Sequence, residues 1–177
     1  MRLGRMGTDQ HDALAWAALQ SRWAAELIPD APVGRLLDLS PAVLHLGLVA
    51  ITLANRPLLC VDDDSDARET TMLDADLAGL TGDAEVRCSQ LDAQRDYETF
   101  AVVIADPDEP PVADWSARTL ALARDCLAAA AGHVADGGHV LIRLDCLDRV
   151  YQLAETTDLT LVEVRTGEQA MVARFDR

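Results

Sequence analysis

The chain has no lysine. All 15 of its basic residues are arginine, set against 30 acids, and the formal net charge is −15 over 177 residues. The missing lysines exclude a Schiff base and a lysine general base. The charge excludes most nucleic-acid binding, because an acidic surface repels a phosphate backbone unless its arginines cluster, and these do not. Half the residues are hydrophobic, yet no run approaches the roughly 18 needed to cross a bilayer. The arginines of Met1–Gly7 are not followed by an apolar stretch of signal-peptide length. These readings predict a cytoplasmic chain with neither a membrane nor a nucleic acid as partner.

The four cysteines, Cys60, Cys88, Cys126 and Cys146, form no Cys-x-x-Cys pair, so the sequence offers no zinc motif and buried free thiols are expected. No Ser-His-Asp or Cys-His arrangement is visible. There is no repeat, low-complexity tract or long linker. The length suits one domain, with residues 1–33 as a helical extension and 34–177 as an α/β core.

The chain is organised around the stretch from Gly34 to Ser65. It reads as a strand at Arg35–Leu39, a turn at Ser40-Pro41-Ala42, a helix from Val43 to Ala54, and a strand at Pro57–Val61 that runs into Asp62-Asp63-Asp64. Strand, turn, helix and acid-tipped strand make half of a nucleotide-type α/β fold. Before it, Trp16, Leu19, Trp23 and Leu27 recur at helical spacing up to Pro29. Such a helix covers a sheet face, or acts as a lid with Trp16 or Trp23 stacked on a ligand. After the central unit, Ser65 reads as the N-cap of a helix from Asp66 to about Leu80, with Met72, Leu73, Leu77 and Leu80 turned inward. A strand is expected at Glu85–Cys88. Phe100–Ala105 is wholly apolar, as a strand buried on both faces should be. A helix follows from about Asp114 to Ala135, then the turn Asp136-Gly137-Gly138 and a strand at His139–Leu144. A short helix from Leu147 leads to two strands, Thr160–Val164 and Ala170–Phe175, joined as a hairpin.

In this order the segments resemble the class I S-adenosylmethionine-dependent methyltransferases, over residues 34 to 175. Leu36-Leu37-Asp38-Leu39 resembles the first strand with its acid, and Leu59-Cys60-Val61-Asp62 the second. Asp92 falls where the adenine-side acid stands. Tyr97–Ala105 resembles the strand before the active-site loop, Asp136-Gly137-Gly138 the turn before strand five, and the final hairpin closes the pattern. The resemblance implies a three-layer αβα sandwich: a mostly parallel, seven-stranded, Rossmann-like sheet whose last strand is antiparallel. It also implies S-adenosylmethionine as cofactor, contacted by Asp38, Ser40, Asp62, Asp63, Asp92 and Asp106. Asp62 would hold the ribose, Asp92 the adenine amine and Asp38 the amino-acid end.

The chain departs from the family at the first turn. The family places glycine there at two or three positions, so that the backbone bends sharply and the cofactor approaches closely. Here Ser40-Pro41-Ala42-Val43-Leu44 holds none, and Pro41 has no N–H to donate. Either a wider turn still admits the cofactor, or apolar side chains fill its site. A nicotinamide dinucleotide fits less well, since Gly-x-Gly-x-x-Gly is missing. Asp106-Pro107-Asp108-Glu109 resembles the Asn/Asp-Pro-Pro-aromatic loop of amino-methylating members, without its second proline and its aromatic, which argues against nucleobase N-methylation. The candidates for chemistry are Asp106, Asp108 and His45, the last as a general base. Asp106 and Asp108 with Asp145 make a possible oxygen site for a divalent cation, against the simpler reading of a solvated acidic loop. Two functions from different classes follow: a methyltransferase acting on a small molecule, and an inactive methyltransferase-like subunit that binds a partner protein. A second chain, identical or different, would complete a pocket that this short sequence has few insertions to build.

Overall fold

Phe100–Ala105, the apolar run without a single polar residue, lies in the middle of a seven-stranded sheet, and all six of its residues are buried. The computed structural model describes residues 19–39, 56–61, 65–77, 84–87, 98–107, 117–167 and 171–177. In chain order these hold α1 (19–27), β1 (Leu36–Asp38), β2 (Leu58–Val61), α2 (Ser65–Leu77), β3 (Ala84–Arg87), β4 (Phe100–Ala105), α3 (Ala117–His133), β5 (Val134–Leu144), α4 (Leu147–Ala154), β6 (Thr160–Thr166) and β7 (Met171–Asp176).

The strand order is β3-β2-β1-β4-β5-β7-β6. The pairs β1–β2, β1–β4, β2–β3 and β4–β5 are parallel, and β7 runs antiparallel to both β5 and β6. The order reverses between β1 and β4, which opens a crevice beyond their carboxyl ends. Successive side chains on a strand face opposite ways, so the sheet has two cores. On one face Leu36, Leu58, Val102, Ile104, Leu141 and Val172 meet Trp23, Ala24, Leu27 and Ile28 of the α1 segment. On the other, Leu37, Leu59, Val103, Val140, Ile142 and Phe175 meet Ala123, Leu127 and Ala130 of α3 and Val150 and Leu153 of α4. This is the expected three-layer sandwich.

Helix α1 runs opposite to β4. At one end Gln20 bonds to the carbonyl of Ala105, the last residue of β4. At the other, Arg56 donates to the carbonyl of Ile28, just past the helix, and to those of Pro32 and Gly34 in the link to β1. Gln20 to Ile28 covers about 12 Å of helix, close to the roughly 13 Å of strand between Ala101 and Ala105. Trp23 sits between these anchors, 1% exposed, with the Arg165 guanidinium 4.2 Å from its ring centroid. Arg165 is itself bonded to Glu26 and Glu163. Trp23 is therefore a core residue under an arginine, not a ligand platform; Trp16 lies outside the described residues.

Two expectations need correction. Met72 and Leu73 are each 58% exposed. Helix α2 packs beside β3, the outermost strand, and has no broad apolar seat there to bury them. The predicted helix up to Ala135 ends at His133, where β5 begins. The turn at Asp136-Gly137-Gly138 survives as a register break inside β5: Phe100 pairs with Val134, but Val102 pairs with His139. Gly137 has φ 75°, a conformation side chains disfavour. A Cβ on Gly138 would lie 2.8 Å from the Ala135 carbonyl and 2.9 Å from that of Ala101. Strand β6 has its own register shift, between Leu161 and Glu163. The cysteines are only partly as expected. Cys60 is buried, whereas Cys126 and Cys146 are half-buried, and none of the three is in a disulfide.

At the end of the sheet away from the crevice, His139 is buried and its Nδ1 lies 2.9 Å from Asp176 Oδ1. A carboxylate only accepts, so Nδ1 carries the proton and donates. Nε2 is buried without a partner among the described residues. Arg174 donates to both oxygens of Asp176. Burial alone would raise the Asp176 carboxyl, but the hydrogen bonds from Arg174 and His139 outweigh it and hold its pKa below the usual carboxylate value. A carboxylate depressed in the fold stabilises it fully above the unfolded value of 3.8, and that stability is lost as pH falls through the lower folded value. Asp176→Asn should therefore be less stable than wild type at neutral pH in urea unfolding, and the gap should close below about pH 4. A gap independent of pH would show that the carboxylate charge is not what matters.

Candidate functional site

Buried polar side chains are costly unless they are partnered, and here they are unevenly placed. Among the described residues, the buried polar or charged ones are Gln20, Ser21, Asp38, Asp106, His139 and Arg143. Gln20, Asp38, Asp106 and Arg143 all lie at the carboxyl ends of β1, β4 and β5, and Ser21 follows Gln20 on α1. Asp38 ends β1 and pairs in register with Ile104; the Leu39 amide then donates to the Ile104 carbonyl at 2.8 Å. Asp106 stands one residue past β4, and Arg143 near the end of β5. This is the crevice that the strand order predicts for a ligand.

The Arg143 Nε donates to Asp106 Oδ1 at 2.6 Å, with both side chains 10% exposed or less. Such a short, buried, charge-assisted bond fixes Asp106 against the sheet. Asp145, one residue past β5, faces Arg149 at 3.2 Å. Two of the carboxylates considered for a divalent cation, Asp106 and Asp145, are thus turned towards arginines, and no cluster of three or more metal-type ligands occurs among the described residues. The Asp106 charge also reaches Cys126 on α3. Burial first, then Asp106 and Asp125, pushes that thiol up to about 11. It stays protonated near neutral pH and is a poor nucleophile there.

Gln20 reaches the same end of the sheet from α1, over β4 and β5. Its Nε2 donates to the Ala105 carbonyl and to the Leu141 carbonyl, each at 3.1 Å. The side chain is fully buried, and its Oε1 has no partner among the described residues.

Of the residues singled out in the sequence, Asp38 and Asp106 are both buried at this crevice. Ser40, His45, Asp62, Asp63, Asp92 and Asp108 lie outside the described residues, as does the glycine-free turn. His133 is a structural residue whose Nδ1 lies 3.1 Å from the Glu98 carbonyl, with its ring edge-on to Phe100. Sequence reasoning missed Gln20 and Arg143. Each left a trace: Gln20 falls on the buried stripe three and seven residues before Trp23 and Leu27, and Arg143 is a lone charge in an apolar strand.

No protein-family profile and no curated protein sequence matches the chain. Solved structures do match it in shape. TrmN from Thermus thermophilus superposes with TM-score 0.66 at 21% identity over 91% of this chain, which spans 51% of the TrmN chain, about half its length. The ribosomal protein L11 methylase of Lactobacillus delbrueckii subsp. bulgaricus gives 0.65 at 17% identity, covering 89% of this chain and 78% of its own. An RNA methyltransferase from Salinibacter ruber, solved with S-adenosyl-L-homocysteine, gives 0.61 at 15% identity over 87% of both chains. These likenesses establish a Rossmann-like fold of the class I methyltransferase type.

Proposed function

From that fold, we propose that the chain is an S-adenosylmethionine-dependent methyltransferase whose acceptor is a small molecule. One observation carries the reading: buried hydrogen-bond acceptors gather where the strand order reverses. Asp38 and Asp106 are 3% and 2% exposed there. S-adenosylmethionine is a cation with an ammonium group, ribose hydroxyls and an adenine amine, so an acceptor-rich crevice suits it.

Asp38 would take the amino-acid end, beside Ser40 of the turn. Asp62 and Asp63 would hold the ribose side, and Asp92 the adenine amine. The cofactor supplies an electrophilic methyl group. Asp106 and its loop would orient the acceptor towards it, so that most of the acceleration comes from alignment. The acidity of the chain favours a small acceptor over a polynucleotide, even though the Salinibacter ruber neighbour is an RNA methyltransferase. A phosphate backbone would meet a net charge of −15.

A second reading, an inactive subunit that binds a partner protein, draws on Met72 and Leu73, adjacent and exposed on α2, and on the turn at 40–44. Binding separates the two. S-adenosylhomocysteine at a hundred times its Kd should stabilise the fold by about 2.7 kcal/mol, a rise in Tm of roughly 5–10 °C for a chain of this size. Asp62→Ala should abolish the rise. A flat melting temperature at millimolar ligand would leave the partner-binding subunit as the reading.

A further inference from the structure

Resting on the methyltransferase reading, we infer that Gln20 is the residue that reads the methyl acceptor: its Oε1 accepts a hydrogen bond from an N–H or O–H group of that acceptor.

The amide orientation is fixed by its partners. Nε2 lies 3.1 Å from two carbonyl oxygens, Ala105 on β4 and Leu141 on β5. Only an NH2 group can serve two acceptors, and its two hydrogens are then used. Oε1 is the other end of the same planar group, about 2.3 Å from Nε2. It therefore lies within reach of the end of β4, where the chain enters Asp106-Pro107. It is fully buried and has no partner among the described residues. An amide oxygen kept from water without a donor costs about 1–3 kcal/mol. Such a cost, at the carboxyl end of β4 and within one turn of Asp106, marks a place that a ligand donor fills.

The surroundings narrow the donor. The Asp106 charge is balanced by Arg143 at 2.6 Å, so next to Gln20 the crevice presents a neutral carbonyl beside a closed ion pair. An amine, amide or hydroxyl suits that arrangement. A carboxylate or phosphate does not, because two acceptors would face each other. Gln20 does not act by moving a proton, since an amide oxygen is a poor base; it orients the group that donates to it.

Sinefungin tests this without knowledge of the acceptor. It is the cofactor analogue with an amine where the transferable methyl stands, whereas S-adenosylhomocysteine has nothing there. With the full chain, sinefungin should bind at least tenfold more tightly than S-adenosylhomocysteine. Gln20→Met should bring that ratio down about tenfold, with the Kd of S-adenosylhomocysteine unchanged. Because Gln20→Met also removes two bonds to the sheet, a second measurement uses wild type alone. The carbon-13 resonance of the Gln20 Cδ should shift with saturating sinefungin and stay put with S-adenosylhomocysteine. A ratio that Gln20→Met leaves unchanged, or a Cδ resonance that sinefungin does not move, overturns the role given to Gln20 alone. Failure of both ligands to bind wild type overturns it together with the methyltransferase reading.

Discussion

Replacing Arg143 with methionine should destabilise the fold by about 3–5 kcal/mol, because it takes a charged donor from the buried Asp106 carboxylate. Asp106 is 2% exposed, and the Arg143 Nε is its 2.6 Å donor. The Coulomb energy of the intact pair is a poor guide to this figure. Much of that attraction only offsets the cost of taking two charges out of water, so the loss appears when one charge is left behind. A double variant, Arg143→Met with Asp106→Leu, should accordingly recover most of the stability, since two apolar side chains of similar volume need no partner. Urea unfolding of wild type, both single variants and the double variant closes the cycle. A double-variant loss equal to the sum of the two single losses would mean that the pair is not coupled. The double variant should also lose the crevice carboxylate, which separates a stable fold from a working site.

Trp23→Ala should cost a similar amount, about 3–5 kcal/mol, for a different reason. The ring is 1% exposed, and its removal opens a cavity that α1 and the sheet fill only partly. The stack under Arg165 at 4.2 Å goes with it, adding about 0.5–2 kcal/mol. Trp23→Phe should be far milder. The indole Nε1 is buried without a partner among the described residues, so phenylalanine gives up some volume but also removes an unsatisfied donor. A phenylalanine variant as unstable as the alanine one would show that the indole N–H is bonded after all. Trp23 lies one turn from Gln20 on α1. Trp23→Ala should therefore also weaken sinefungin binding while sparing Asp106–Arg143, a coupling read from the same titrations.

The sheet was legible because its signals are local. Phe100–Ala105 announced a doubly buried strand by having no polar residue, and Asp136-Gly137-Gly138 announced a turn, which survives as the register break inside β5. The antiparallel placement of β7 followed from a short link between two strands. Asp38 was legible too, as an acid at a strand end. Gln20 was not, because its meaning lies in contacts with Ala105 and Leu141, 85 and 121 residues away, and no periodicity encodes them. Arg143 was visible as a misfit, but its partner was not. Met72 and Leu73 misled for the opposite reason. Their apolar spacing was real, but a helix beside an outermost strand has little to lie against.

That outermost position matters at the other margin of the sheet as well, where β6 has a neighbouring strand on one side only among the described residues. A straight strand there would invite a neighbouring molecule to zip on and extend the sheet. The irregularity between Leu161 and Glu163 interrupts the strand, since an extra residue bends a strand and throws its donors out of step. Glu163 and Arg165 then set charges along what remains. Val162, half exposed at the break, cannot recruit a second copy into continuous pairing, and the molecule's open flank is blunted against ribbon growth.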